Sequence, residues 1–126
     1  MNRKAKVLVV DDEPEILGIL RRLLEHEGFE VQTASNTIGA GYLLKDFDPD
    51  VIVLDIMLPG SLSGDRACET MREFEPGVKI VFYSGMERSE LEALGEKHRA
   101  DAVVSKGPRP SQLIKVIREL LERDEA

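Results

Sequence analysis

Residues 51–55, Val51-Ile52-Val53-Leu54-Asp55, decide the fold class, because four consecutive aliphatic residues are followed at once by a carboxylate. A continuous apolar run of this length predicts a strand that is buried on both faces, as in a parallel sheet. Residues 6–12, Lys6-Val7-Leu8-Val9-Val10-Asp11-Asp12, repeat the pattern near the N-terminus. The sequence therefore predicts buried strands whose ends carry aspartates.

Segments with helical periodicity separate these apolar runs along the whole chain. Strands are predicted over residues 6–10, 30–33, 51–54, 78–83 and 101–105. Helices are predicted from Pro14 to the glycine at 28, over residues 36–45, around 67–74, over 88–96 and from Pro110 onward. The first helix has an inward-facing stripe predicted at Ile16, Leu17, Ile19, Leu20, Leu23 and Leu24. Five βα units in this order predict an α/β fold with helices on both faces of a parallel sheet.

The composition limits the class of protein. The 126 residues fit one domain, with an expected core over about residues 5–122 between short tails. The net charge of −7 disfavours direct nucleic-acid binding, because phosphate backbones are bound by clustered Lys and Arg. No apolar run is long enough for a signal peptide or a membrane span, so we expect a cytoplasmic protein without membrane contact. Cys68 is the only cysteine, which excludes an internal disulfide.

Polar side chains collect at the carboxyl ends of the predicted strands, where open α/β sheets bind their ligands. Asp11 and Asp12 follow strand one, Asp55 follows strand three, and a lysine follows strand five. Two carboxylates about 4 Å apart repel by roughly 4 kcal/mol at an effective dielectric near 20. Either protonation or a cation must relieve this repulsion, and a hard divalent ion such as Mg²⁺ prefers such oxygen ligands. The sequence therefore predicts a metal site.

The same edge of the sheet could carry phosphoryl chemistry. A carboxylate can attack phosphorus to give an aspartyl phosphate, and Asp55 on the middle strand is the best candidate nucleophile. Lys106 could pair with the added charge, while the Ser84 hydroxyl and the Gly85 amide could donate to the phosphoryl oxygens.

Taken together, Asp11-Asp12-Glu13, residues 55–60, Ser84-Gly85 and Lys106, spaced over five βα units, resemble the response-regulator receiver domains of two-component signal transduction. The resemblance covers essentially the whole chain. It implies a flavodoxin-like, doubly wound sandwich of three layers, α/β/α, with five helices and strand order 2-1-3-4-5. It also implies a phosphorelay switch and not an ordinary enzyme, although such a domain can assist its own phosphoryl transfer and dephosphorylation.

The resemblance further assigns roles by position. Asp55 would be the phosphoacceptor, and the Mg²⁺ ligands would be Asp11, Asp12, Asp55 and the backbone carbonyl of Met57. Ser84, Gly85 and Lys106 would bind the phosphoryl group and switch on its arrival. The donor would be a sensor histidine kinase or a phosphotransfer protein. The downstream protein or attached effector domain is not identified by the sequence, and a homodimer is compatible with the family.

Three departures from the family pattern concern the loops and the output. One extra residue precedes Gly64 in the 60–64 loop, and Gly107 stands between Lys106 and Pro108, where the family usually has Pro directly after the lysine. Val103 stands where the family commonly has an aromatic residue. We expect an output face near the fourth helix and fifth strand, formed by Val103, Leu91 and Glu90. The departures leave open a pseudo-receiver that binds proteins without phosphorylation.

Two enzyme or cofactor classes fit less well. A haloacid-dehalogenase-type phosphatase needs a second aspartate two residues after its nucleophile, and Met57 occupies that position. A flavin or dinucleotide module needs a Gly-rich or hydroxyl-rich phosphate loop after strand one. Acidic residues there would repel phosphate.

Overall fold

Five strands and five helices alternate in the computed structural model, which describes residues 3–58, 64–107 and 110–125. The strands form one parallel sheet in the order β2-β1-β3-β4-β5. The predicted fold class and strand order are therefore confirmed. The elements, in chain order, are β1 Lys6–Val10, α1 Pro14–His26, β2 Glu30–Ala34, α2 Thr37–Asp46, β3 Val51–Leu54, α3 Gly64–Phe74, β4 Lys79–Ser84, α4 Arg88–Lys97, β5 Ala102–Ser105 and α5 Ser111–Glu125.

The sheet separates two hydrophobic cores, because successive side chains of a strand point to opposite faces. Leu8 and Ile52 face the core that includes residues of α2, α3 and α4. Val7 and Val53 face the core that includes residues of α1 and α5. The aliphatic runs are thus buried on both sides, which is why they lack the polar alternation of a half-exposed strand.

The strand register brings the polar ends of the strands together. Val10 pairs with Leu54 across β1 and β3, so the aspartates that follow these two strands are neighbours. Ser84 pairs with Ser105 across β4 and β5, so the lysine that follows β5 lies next to the end of β4. A slip of one residue would turn every side chain to the wrong face of the sheet. The register of the apolar runs therefore also fixes the register of the site.

One sequence prediction about the packing of α1 is wrong. Ile19 was expected on the inward stripe of α1, but its side chain is 53% exposed. Leu20 and Leu24 face the sheet, and a residue next to Leu20 is rotated by about 100° around the helix axis, away from the core. Phe74, the last residue of α3, is mostly exposed as well. Two departures from the family pattern concern residues outside the described ranges: the extra residue in the 60–64 loop, and Pro108.

Helix α4 packs closely on β5 at Gly95, a helix position without a side chain. Gly95 is buried in α4, and a Cβ atom added there would lie 2.4 Å from Cγ1 of Val103. Real side-chain contacts are not this short, so either the helix or the valine would have to move. The β-branched Val103 has little rotamer freedom with which to make room.

We therefore expect Gly95→Ala to destabilise the protein. Alanine improves helix propensity by about 1 kcal/mol, but overpacking a well-filled core costs about 1–3 kcal/mol. The net loss in the free energy of unfolding should be about 1 kcal/mol in urea titrations. In a Val103→Ala background the same substitution should become neutral or stabilising. Equal stability of Gly95→Ala and the parent protein would contradict the packing argument.

Candidate functional site

Two buried carboxylates lie side by side at the centre of the sheet. Asp11 follows β1 and is 1% exposed, and Asp55 follows β3 and is 5% exposed. Their backbone N–H groups continue the strand ladder, donating to the carbonyls of Ala34 at 3.1 Å and Val10 at 2.9 Å, respectively. The backbone of each aspartate is therefore held as firmly as the strand before it.

Asp12 adds a third carboxylate from the exposed side of the site. Asp11, Asp12 and Asp55 each offer one oxygen, and the three oxygens lie within 4.8 Å of one another. All three are hard anionic ligands, and only Asp12 is exposed to solvent. Mg²⁺ binds through a few carboxylates and keeps several waters, so this donor set, buried on one side and open on the other, fits that ion.

Lys106 is the cation that already faces these carboxylates. Its Nζ lies 2.7 Å from Oδ2 of Asp11 and 3.1 Å from Oδ2 of Asp55, and its side chain is 17% exposed. Glu13 contributes a more distant carboxylate at 3.8 Å. Burial alone would lower the pKa of Lys106, but the hydrogen bonds and charges of Asp55 and Asp11 outweigh it and raise the pKa. The ammonium is thus firmly protonated at neutral pH.

Each buried carboxylate uses its second oxygen on a backbone amide. Oδ1 of Asp11 accepts from the N–H of Glu13, and Oδ1 of Asp55 accepts from the N–H of Met57, both at 2.9 Å. A carboxylate has about four lone-pair positions, so both side chains keep capacity for a further ligand. The hydrogen bonds fix the rotamers in advance and lower the cost of ordering the site on binding.

Ser84 lies at the end of β4, beside the lysine. It is fully buried, and its Oγ accepts from the N–H of Met86 at 3.2 Å. Its carbonyl accepts from the backbone N–H of Lys106 at 2.8 Å. The ends of β4 and β5 are therefore joined by a backbone hydrogen bond one residue beyond their last paired residues. Gly85 follows in the turn, where a Cβ would meet no described atom within 4 Å.

The predicted output face is only partly exposed. Leu91 is 0% exposed in the core between α4 and the sheet, so its inclusion in that face is wrong for this conformation. It lies on the buried side of α4 together with Gly95. Val103 is half-buried and packs against the same core, whereas Glu90 is exposed.

Tyr83 is a site neighbour that the sequence analysis did not identify. Its ring lies under the Lys106 ammonium, with 6.0 Å from Nζ to the ring centroid, and the residue is 5% exposed. Burial raises the pKa of the Tyr83 hydroxyl, an effect that the positive charge of Lys106 partly opposes. The available signal was a tyrosine, an aromatic residue with a polar tip, near the end of an apolar strand and next to Ser84.

Comparison with known proteins gives a consistent family. The family model for the response regulator receiver domain matches residues 7–118. The chain is 32% identical over 122 residues to the DNA-binding response regulator MtrA of Mycolicibacterium smegmatis, covering 97% of this chain and 53% of the relative. It is 34% identical over 125 residues to the alkaline phosphatase synthesis transcriptional regulatory protein PhoP of Bacillus subtilis, covering 99% and 51%. The chain thus spans about half the length of these curated relatives.

Solved structures agree over nearly the whole chain. A CheY-like response regulator receiver domain protein from Methanospirillum hungatei matches with a TM-score of 0.89 and 28% identity, covering 98% of each chain. The response regulator TrrA from Thermotoga maritima, solved in complex with Mg²⁺-BeF, matches with a TM-score of 0.78 and 31% identity, covering 92% of this chain and 98% of that one. In the described part of the chain, no helix combines the length and apolar character that crossing a membrane would require. The sequence match and the fold together show that this chain belongs to the response regulator receiver domain family.

Proposed function

We propose that this chain accepts a phosphoryl group on Asp55, with Mg²⁺ held by the carboxylates of Asp11, Asp12 and Asp55 and by the carbonyl of Met57. The observation that carries the proposal is the arrangement around Lys106. The Lys106 ammonium contacts two buried carboxylates, at 2.7 and 3.1 Å, and the carboxylate of Asp12 has an oxygen within 4.8 Å of theirs. Such a site is short of positive charge, and a divalent cation supplies it.

The transfer chemistry follows from the side chains present. A carboxylate oxygen of Asp55 attacks phosphorus and forms the P–O bond of an aspartyl phosphate, while the bond from phosphorus to the donor breaks and its electron pair leaves with the donor. When bound, Mg²⁺ neutralises the negative oxygens of the transferring group. The Lys106 ammonium pairs with the added charge. The Ser84 hydroxyl and the Gly85 N–H donate to the remaining oxygens.

The proposed switch is a shift between two populated conformations. Phosphoryl oxygens would draw the Ser84 hydroxyl and the Lys106 ammonium toward Asp55. Since the carbonyl of Ser84 accepts from the N–H of Lys106, the ends of β4 and β5 would move as one unit. Val103, three residues before the lysine, and Glu90 on the exposed side of α4 would then change the surface that a partner meets.

The wider context is also part of the proposal. The donor is a sensor histidine kinase or a phosphotransfer protein, and the domain signals instead of turning over a substrate. The printed names of the relatives describe a DNA-binding response regulator and a transcriptional regulatory protein. By analogy, this receiver would act as a single domain in the cytoplasm and control a partner or an attached effector, alone or as a homodimer.

The test measures covalent and non-covalent occupation of the site separately. Acetyl phosphate with Mg²⁺ should add one phosphoryl group, observed by mass spectrometry and assigned to Asp55 after proteolysis. Beryllofluoride should bind only with Mg²⁺ and should shift the amide resonances of Ser84, Gly85 and Lys106 in NMR spectra. A phosphorylation-independent module would show neither effect. Equal beryllofluoride binding with Mg²⁺ and with a chelator would overturn the metal assignment.

A further inference from the structure

The Lys106 side chain needs support from neighbouring residues if its ammonium is to stay at the two carboxylates. Lys106 is a long side chain whose ordering costs about 1.5–2 kcal/mol in rotamer freedom. The next residue, Gly107, has no side chain, so it contributes no side-chain packing that could restrict the lysine.

Tyr83 offers that support from the neighbouring strand. Its ring belongs to the core shared by α1 and α5, and it is 5% exposed. The Lys106 ammonium lies over this ring at 6.0 Å from the centroid, which is at the outer limit of a cation–π contact. The Tyr83 ring on one side and the carboxylates of Asp11 and Asp55 on the other restrict the positions that the ammonium can take.

The backbone reinforces the same arrangement. Lys106 donates its N–H to the carbonyl of Ser84, the residue directly after Tyr83, at 2.8 Å. The lysine is thus anchored at its main chain to the end of β4, and its ammonium lies over an aromatic ring from the same strand. Tyr83 itself is rigid, because it is packed in the core and its ring has only two rotatable bonds.

We infer that Tyr83 is a positioning residue for Lys106: its ring confines the ammonium to the side of Asp11 and Asp55. In this proposal Tyr83 acts through the lysine and has no direct role in the chemistry. The effect of Tyr83 on phosphoryl binding rests on the function proposed above. The effect of Tyr83 on the position of the Lys106 side chain does not depend on that function, and it can be measured in the protein without any phosphoryl analogue.

The first measurement reports that placement directly. In NMR spectra of the protein without phosphoryl analogue, the side-chain protons of Lys106 should carry a ring-current shift. Tyr83→Phe keeps the ring and should keep the shift, whereas Tyr83→Leu should move these resonances toward free-lysine values. Unchanged Lys106 resonances in Tyr83→Leu would overturn the inference, whether or not the site binds phosphoryl groups.

The second measurement reports the consequence. Tyr83→Leu should weaken beryllofluoride binding in Mg²⁺ by about 3–10-fold, which corresponds to about 0.7–1.4 kcal/mol and lies in the range of cation–π contacts. Tyr83→Phe should restore the affinity to within about 2-fold. The matched control is Val81→Ala, a buried position two residues earlier in the same strand and core. Val81→Ala should lower the stability of the protein without changing its affinity for beryllofluoride.

An equal loss of affinity in Val81→Ala would show a general packing effect and overturn the positioning role of Tyr83. If the parent protein fails to bind beryllofluoride, only the proposed function is refuted.

Discussion

Asp55→Asn is expected to reduce phosphoryl incorporation to background and, at the same time, to make the metal-free domain more stable. An amide is not a nucleophile toward phosphorus, so acetyl phosphate with Mg²⁺ should leave the mass of the variant unchanged. The amide oxygen can still accept from the N–H of Met57, as Oδ1 of Asp55 does at 2.9 Å. The substitution therefore removes charge with little change in shape.

The sign of the stability change follows from counting charges. Asp55 has a favourable charge–charge contact with Lys106 at 3.1 Å, worth roughly 5 kcal/mol at an effective dielectric near 20. Its repulsions with Asp11 and Asp12 act between oxygens no more than 4.8 Å apart, and each costs roughly 3–4 kcal/mol at the same dielectric. The two repulsions exceed the attraction. Removing the carboxylate should therefore raise the free energy of unfolding by about 1–2 kcal/mol.

Urea unfolding in a chelator and in Mg²⁺ tests this expectation. Without metal the variant should be the more stable protein. With Mg²⁺ the difference should shrink, because the parent protein gains more binding free energy from the ion. Glu73→Gln, the same kind of exchange at an exposed position on α3, should change neither phosphorylation nor the response to Mg²⁺. A metal-free Asp55→Asn variant that is less stable than the parent would refute the charge argument.

The placement of the acidic cluster could be predicted from the sequence for a simple physical reason. The runs at 6–10 and 51–54 are buried on both faces, which identifies them as interior parallel strands, and parallel strands end at the same edge of the sheet. Any residue directly after such a strand, such as Asp11 or Asp55, must then lie at that edge. The prediction needed only the chain order and the strand ends.

The features that the sequence analysis missed depend on packing across elements. Leu91 was placed on an exposed face, but only the approach of α4 to the sheet, made close at Gly95, decides which side of that helix is buried. The contact of Tyr83 with Lys106 depends on the register between β4 and β5. Neither the rotation of a helix about its axis nor the reach of a lysine side chain can be read from the local pattern alone.

The other large effect is expected for Lys106, because it is the cation that offsets the two buried carboxylates. Lys106→Met keeps the length of the side chain and removes the charge, which leaves Asp11 and Asp55 close together without their partner. Removing one member of a buried ion pair costs about 3–5 kcal/mol. The lysine side chain is 17% exposed and Asp12 is open to solvent, and both features reduce the cost of losing the cation. We therefore expect the free energy of unfolding to fall by about 3 kcal/mol at neutral pH without metal.

The deficit should have a defined pH window. The folded-state pKa of Lys106 is raised above the ordinary lysine value of 10.5. Its contribution is therefore fully present below that value and is lost as the pH rises through the folded-state pKa. The parent protein and Lys106→Met should thus converge in strong alkali. Urea unfolding at neutral and at strongly alkaline pH measures this convergence.

In Lys106→Met, the affinity for Mg²⁺ and the incorporation of phosphoryl groups should change in opposite directions. With no ammonium beside them, the carboxylates of Lys106→Met should bind Mg²⁺ more tightly than those of the parent protein, and the ion should recover much of the lost stability. Phosphoryl incorporation should nevertheless fall by at least about tenfold, because the cation that pairs with the added charge is gone. Lys97→Met, an exposed position near the end of α4, should alter none of these quantities. If Lys106→Met binds Mg²⁺ less tightly than the parent protein, the lysine does not compete with the ion for these carboxylates. The electrostatic account of the site would then be wrong.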